Sequence, residues 1–287
     1  MTKPGFEPFV PVRLSDRVRR LTANNPGYMT GPGTNTYIIG DSHSVVIDPG
    51  PAQPEHIDAI LEATGASVAS ICVTHTHPDH SPAASELARL TGATLVGSVM
   101  SNDGHQDESF SVDENVQHEQ WISGHDYRLQ AIHTPGHVDN HFCYLLEQEG
   151  MLFTGDHIME GSTVVIIPPA GDMADYIASL QLLKSYEISA LAPGHGALVE
   201  QPMEWIDWLI DHRLKREEKV VEKLAAFGGK CGLKALTALV YDDVDTRLHP
   251  VASVSLWAHL IKLEKEGRAA RETASLADFT KENWKLL

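Results

Sequence analysis

The chain has 287 residues, 42% of them hydrophobic, with 22 Lys plus Arg against 39 Asp plus Glu, 16 His, 3 Cys and a formal charge of −17. That length suits one large domain plus a small one; no apolar run approaches the roughly 20 residues that span a bilayer, and residues 1–20 lack the charged-then-apolar order of a secretory signal. Residues 1–203 hold 8 basic and 25 acidic groups and residues 204–287 hold 14 of each, so the larger part offers a polyanion few Lys or Arg to exchange for its counterions.

In chain order, strand-like runs over 36–39 and 45–47 flank Gly40-Asp41-Ser42-His43 and predict a hairpin. Ile57, Ile60 and Leu61 at helical spacing predict a helix over 54–63, ending near Gly65 and leading into a strand over 67–73. After the polar turn 74–80, Ser81 is placed to cap a helix that has Pro82 at its first position and runs to Gly92. A strand over 94–96 and an acidic, His-containing loop over 100–120 follow, with no Lys or Arg between Arg89 and Arg128. Strands are then expected over 127–132, 142–146 and 151–153, a helix capped by Asp172 through Leu183, and a strand over 188–191. From Glu204 the texture changes. A charged helical pattern over 205–227 stops at Gly228-Gly229, two further helices read over 233–240 and 251–267, and residues 267–271 read as a turn into a short strand. The expected division is therefore 1–203 and 204–287, the second part being three helices and a small wing.

Chemistry concentrates in Thr74-His75-Thr76-His77-Pro78-Asp79-His80, a turn between a buried strand and a helix start. Imidazole suits zinc and related divalent ions, and a carboxylate adds charge compensation, so such groups on one turn make most of a metal site. Three more turns follow strand-like runs and each places one ligand at a strand end: Thr134-Pro135-Gly136-His137, Thr154-Gly155-Asp156 and Pro193-Gly194-His195-Gly196. Glycine lets the backbone turn sharply there, so the ligand can point into a shared cleft.

Through His75, His77, Asp79, His80, His137, Asp156 and His195, in that order, the sequence resembles the metallo-β-lactamase superfamily over about residues 14–200. The resemblance implies an α/β fold, a four-layer αβ/βα sandwich with the site at one sheet edge. It also implies that His75, His77 and His137 hold one metal, that Asp79, His80 and His195 hold a second, and that Asp156 bridges. Gly33-Thr34-Asn35-Thr36-Tyr37, residues 134–141, residues 176–180 and His212-Arg213 through Glu217 are similar to the subgroup containing β-lactamase-like protein 2 and fungal polyketide thioesterases. That subgroup has a small winged-helix-type C-terminal domain, similar to residues 259–268 here, whereas residues 166–172, with the Pro168-Pro169-Ala170-Gly171 loop before the helix, depart from it.

The activity so implied is that of a dinuclear metallohydrolase. Two divalent ions, Zn2+ first with Fe or Mn as alternatives, would share one solvent molecule and lower its pKa from about 15.7 toward about 7, supplying hydroxide without a protein nucleophile. Asp79 would orient that hydroxide or accept its proton, and His141 is a candidate general acid, against the plainer reading of a strand-end histidine. A thiolate, with a parent pKa of about 8.5, departs unprotonated where an amine or alkoxide wants an acid, so a small-molecule acyl thioester or related ester is the expected substrate. Asn35 and Tyr176 are candidate substrate contacts; Asp48 and His157 are candidate supports behind the ligands.

Two other readings stand beside this one. An endoribonuclease or phosphodiesterase of the β-lactamase-like protein 2 type meets the charge objection, because residues 21–203 carry only Arg89, Arg128 and Lys184 against 23 acidic residues. A non-hydrolytic metal scaffold would use its winged-helix unit to bind a partner or DNA, although such units also serve as packing or homodimer elements. Cys72, Cys143 and Cys231 lie far apart without a disulfide framework, which points to a reduced, cytoplasmic setting.

Overall fold

Runs such as Tyr37-Ile38-Ile39 and Val45-Val46-Ile47 are apolar at every position, and a strand built from them must be covered on both faces. The computed structural model describes residues 5–100, 104–228, 230–273 and 278–287. Asp103 of the acidic loop and Gly229 of the expected helix stop lie outside the described residues. By their contacts the residues divide into two compact units, one of Met1–Thr134, Asn140–Val164 and Tyr186–Met203, the other of Pro135–Asp139, Val165–Ser185 and Glu204–Leu287.

The first unit holds two sheets. Seven strands follow one another in chain order: β1 (Val12–Arg13), β2 (Val18–Thr22), β3 (Asn35–Ile39), β4 (Ser44–Ile47), β5 (Val68–Cys72), β6 (Thr94–Gly97) and β7 (Glu114–Asn115). Pairing is antiparallel from β1 to β4 and parallel from β4 to β7. Parallel neighbours need crossovers, and the first two of these carry α1 (Pro54–Thr64) and α2 (Ala84–Thr91). The second sheet has the order β12 (Ala190–Pro193), β11 (Met151–Gly155), β10 (Phe142–Leu146), β9 (Arg128–His133), β8 (Trp121–Ser123), antiparallel except between β11 and β12. Alternation along β3 sends Tyr37 and Ile39 into a core shared with Leu129, Tyr144 and Phe153 of the second sheet. Ile38 goes the other way, toward Ile57 and Ile60 of α1 and Leu87 of α2. One helix layer and two sheet layers thus stack in this unit.

The second unit contains α3 (Met173–Leu183), α4 (Pro202–Ala226, from Glu204 on), α5 (Leu233–Val240) and α6 (His249–Lys265). Its three-stranded sheet runs β13 (Lys230–Gly232), β15 (Asn283–Leu286), β14 (Ala269–Thr273). Val220 and Leu224 of α4, Leu233 and Leu236 of α5, Leu256, Leu260 and Leu263 of α6, and Trp284 form its core. Asp172 caps α3 as expected, accepting from the backbone N–H of Ala174 and Asp175.

Ser81 does not cap α2, which begins at Ala84; its hydroxyl donates instead to Asp107 at 2.7 Å, a partner 26 residues away that no local rule supplies. The strand expected over 188–191 forms over Ala190–Pro193, in parallel register with β11. Strand β2 carries Arg19 and Arg20 in its middle, which hides its strand character in the sequence. Arg20 is nonetheless buried, its guanidinium 3.9 Å above the Phe6 ring. The three cysteines are free and buried, and no described helix is long and apolar enough to cross a membrane.

Candidate metal centre

The turn that follows β5 is tied down by one carboxylate. Asp48, just past β4 with φ 50°, accepts at Oδ1 from the Thr74 N–H (2.7 Å) and at Oδ2 from the Thr74 hydroxyl (2.8 Å), and Oδ2 also lies 2.9 Å from His80 Nδ1. His75 Nδ1 lies 3.0 Å from the Thr74 hydroxyl. On the neighbouring turn His195 Nδ1 lies 3.2 Å from the Gly33 carbonyl. With Nδ1 engaged, Nε2 is the nitrogen that a metal could take, and in metal-binding imidazoles such a contact holds the ring in one tautomer and orientation.

Those nitrogens converge. His80 Nε2 lies 3.4 Å from Asp156 Oδ1 and 3.6 Å from Asp79 Oδ2; His195 Nε2 lies 3.3 and 3.2 Å from the same two oxygens. The donor atoms of Asp79, His80 and His195 fall within 4.8 Å of one another, as do those of His75, His80 and Asp156. His77 joins through Nδ1, 2.9 Å from His75 Nε2. The approach requires glycine at position 194, where a Cβ would lie 2.7 Å from His80 Cε1 and 3.0 Å from Asp156 Oδ1.

The cluster fits a divalent cation. The Nε2 atoms of His80 and His195 are buried, and neither makes a hydrogen bond of good geometry, although carboxylate oxygens face both. Burial acts to lower the His80 pKa, but the Asp79, Asp156 and Asp48 carboxylates together hold it well above the ordinary value. Burial is likewise outweighed at His195, which the Asp156 charge and the contact with Asp79 raise. For Asp79, burial acts upward, and His80 and His195 outweigh it and hold the carboxyl low. A field that favours positive charge, set among nitrogen and oxygen donors, is the chemistry of a Zn, Fe or Mn site.

His137 belongs by its contacts to the second unit, where its Nδ1 lies 2.7 Å from the Val165 carbonyl, so Nε2 is again the nitrogen suited to ligation. Asp79 is the more open of the two carboxylates, with 28% of its side chain exposed against 15% for Asp156. His141 is completely buried, with Nδ1 2.9 Å from the Thr134 hydroxyl and its ring 5.2 Å from that of His75. His157 is also fully buried, 5.8 Å from His141 between ring centres. Asn35 and Tyr176 face protein. Asn35 donates to the carbonyls of Pro193 (3.0 Å) and Gly196 (2.9 Å), which holds the His195 turn. Tyr176 is buried in the second unit beneath the Arg213 guanidinium. Sequence reasoning missed Thr74, which links Asp48 to the ligand turn, and Tyr37, whose hydroxyl donates to the Pro193 carbonyl at 2.7 Å. Thr74 had a signal, its place beside His75; Tyr37 had one too, its place in the Gly33–Tyr37 run, but nothing local shows that its hydroxyl reaches the Pro193 carbonyl.

The profile of the Metallo-beta-lactamase superfamily matches residues 29–195, and that of the Beta-lactamase associated winged helix domain matches residues 233–281. The chain is 30% identical over 273 residues to a Beta-lactamase-like protein 2 homolog of Drosophila melanogaster, covering 89% of this chain and 90% of the relative. It is 31% identical over 233 residues to an Atrochrysone carboxyl ACP thioesterase of Passalora fulva, covering 78% and 66%. A solved metallo-beta-lactamase family protein from Thermus thermophilus superposes with a TM-score of 0.75 at 19% identity, covering 95% of this chain and all of that one, a likeness of fold.

Proposed function

The chain belongs to the metallo-β-lactamase superfamily, and from that premise we propose that it is a metal-dependent hydrolase of an acyl thioester or related ester. The observation that carries the reading is the convergence of His80 and His195 Nε2 on the carboxylates of Asp79 and Asp156. His75, His77 and His137 would hold one divalent ion and Asp79, His80 and His195 a second, with Asp156 as a further ligand and Zn2+ the first choice of metal. When bound, such ions supply Lewis acidity and bring the pKa of water down to about 7.

The protein's own groups do the rest. Asp48, Thr74 and the Gly33 carbonyl hold the ligand rings in one orientation. Asp79, the more exposed carboxylate, takes the proton of the attacking water and turns that water toward the substrate carbonyl. His141 is sealed and bonded to Thr134, so we assign it to support beneath the ligand turn, not to protonation of a leaving group. A leaving group that departs as an anion suits this arrangement, and a thiolate with a parent pKa of about 8.5 does so. The thioesterase name of the Passalora fulva relative accords with that choice. The acidic excess of residues 1–203 weighs against a nucleic-acid phosphodiester.

Zn2+-loaded protein is expected to hydrolyse an acyl thioester faster than a β-lactam or bis(p-nitrophenyl) phosphate. His77→Ala should lower that rate by roughly 100-fold or more, the upper end of what loss of a group supporting a ligand costs. Preference for the phosphodiester would move the assignment to the nuclease reading. No turnover of any of the three would favour the scaffold reading.

A further inference from the structure

The loop that carries His137 is anchored by one face of α3. The Asp172 backbone N–H donates to the Gly136 carbonyl at 2.9 Å, while the Asp172 side chain caps the helix. Four residues on, Tyr176 lies so close that a Cβ at position 136, where φ is +140°, would sit 2.3 Å from the Tyr176 Cα. Three residues further, the Ser179 hydroxyl donates to the Pro135 carbonyl at 2.8 Å. Positions 172, 176 and 179 form one helical stripe, and all three contacts fall on the two residues that precede His137. The same stripe is gripped from behind. Lys265 of α6 pairs with Asp172, and the Arg213 guanidinium of α4, itself buried, lies 5.3 Å from the Tyr176 ring centre. Lys184, just past α3, reaches Asp207 of α4 at 2.5 Å.

We propose that α3 is a brace through which the C-terminal helices fix the place of His137, with Asp172, Tyr176 and Ser179 as positioning residues for the metal centre. The proposal rests on the reading of His137 as a ligand. It gives α4 and α6 a task in metal retention: they hold the helix that holds the loop, so a change in their packing alters the affinity of the centre without touching a ligand.

The test is Zn2+ affinity by chelator competition, together with the visible spectrum of the Co2+-substituted full chain, for wild type, His137→Ala, Ser179→Ala and Gly136→Ala. Wild type is expected to bind two ions, and His137→Ala to lose one. Ser179→Ala should keep both but hold one roughly 10-fold more weakly, with shifted Co2+ bands, as loss of a group that orients a ligand does. Gly136→Ala should do the same more strongly, and Ser179→Thr, which keeps the hydroxyl, should restore wild-type values. If His137→Ala binds two ions with unchanged spectra, the ligand reading fails and the brace fails with it. If His137→Ala loses an ion while Ser179→Ala lowers only the melting temperature, leaving affinity and spectrum at wild-type values, the brace alone is overturned.

Discussion

At Asp48 a single carboxylate fixes two parts of the ligand turn, taking the N–H and hydroxyl of Thr74 and the Nδ1 side of His80. Asp48→Asn is nearly isosteric but places an amide donor against groups that also donate. Metal affinity is therefore expected to fall roughly 10- to 100-fold with the far-ultraviolet circular dichroism unchanged, and wild-type affinity in chelator competition would contradict it. The candidate ligands were legible because His and Asp in turns directly after strand-like runs have few other uses in such a pattern. Asn35 and Tyr176 were not legible in the same way. Their donors show in the sequence, but the partners that bury them, the Pro193 and Gly196 carbonyls and the Arg213 guanidinium, come from 37 to 161 residues away.

At the scale of elements, helix ends announced by backbone constraint were readable: Pro54 opens α1 and Gly65, at φ 59°, closes it. The start of α2 was not, since Ser81 is diverted to Asp107. Leu87 of α2 is fully buried in the core beneath the seven-stranded sheet, and Leu87→Ala should cost about 2–5 kcal/mol in urea unfolding; a loss under about 1 kcal/mol would show that α2 packs loosely. In the second unit His259 of α6 is fully buried, and burial pushes its pKa down to about 4, with Arg213 and Lys262 adding to the shift and Glu217 opposing it. A folded value below the unfolded one of about 6.5 means that the unfolded chain binds more protons between these values. Stability is lost as pH falls through that window, by about 2 kcal/mol from pH 7 to pH 5. Burial acts to raise Glu217, but its contacts with His259 and Lys262 hold it down to about 2, so its contribution is lost lower, from about pH 4 toward 2. Urea unfolding at pH 7 and pH 5 is expected to show a shallower pH dependence in His259→Gln than in wild type, and equal slopes would contradict it.

Across the whole molecule, the change of texture at residue 204 coincides with a boundary between the two contact units. Sequence could not show that Pro135–Asp139 and Val165–Ser185 group with the C-terminal helices. That grouping rests on contacts such as Arg213 over Tyr176 and Lys265 with Asp172, between positions 37 and 93 residues apart. Charge acts at this scale too. The acidic excess is confined to residues 1–203, and in the neutral remainder Glu217 pairs with Lys262 and Arg268. Tight, salt-resistant RNA binding by the whole chain is therefore not expected.

Whether hydrolysis depends on ions held by this cluster is read from thioester turnover measured against bound metal. Protein dialysed against a strong chelator should lose its activity, and stepwise Zn2+ should restore it until two equivalents are bound, with no gain beyond. Full turnover by the stripped protein would contradict the account.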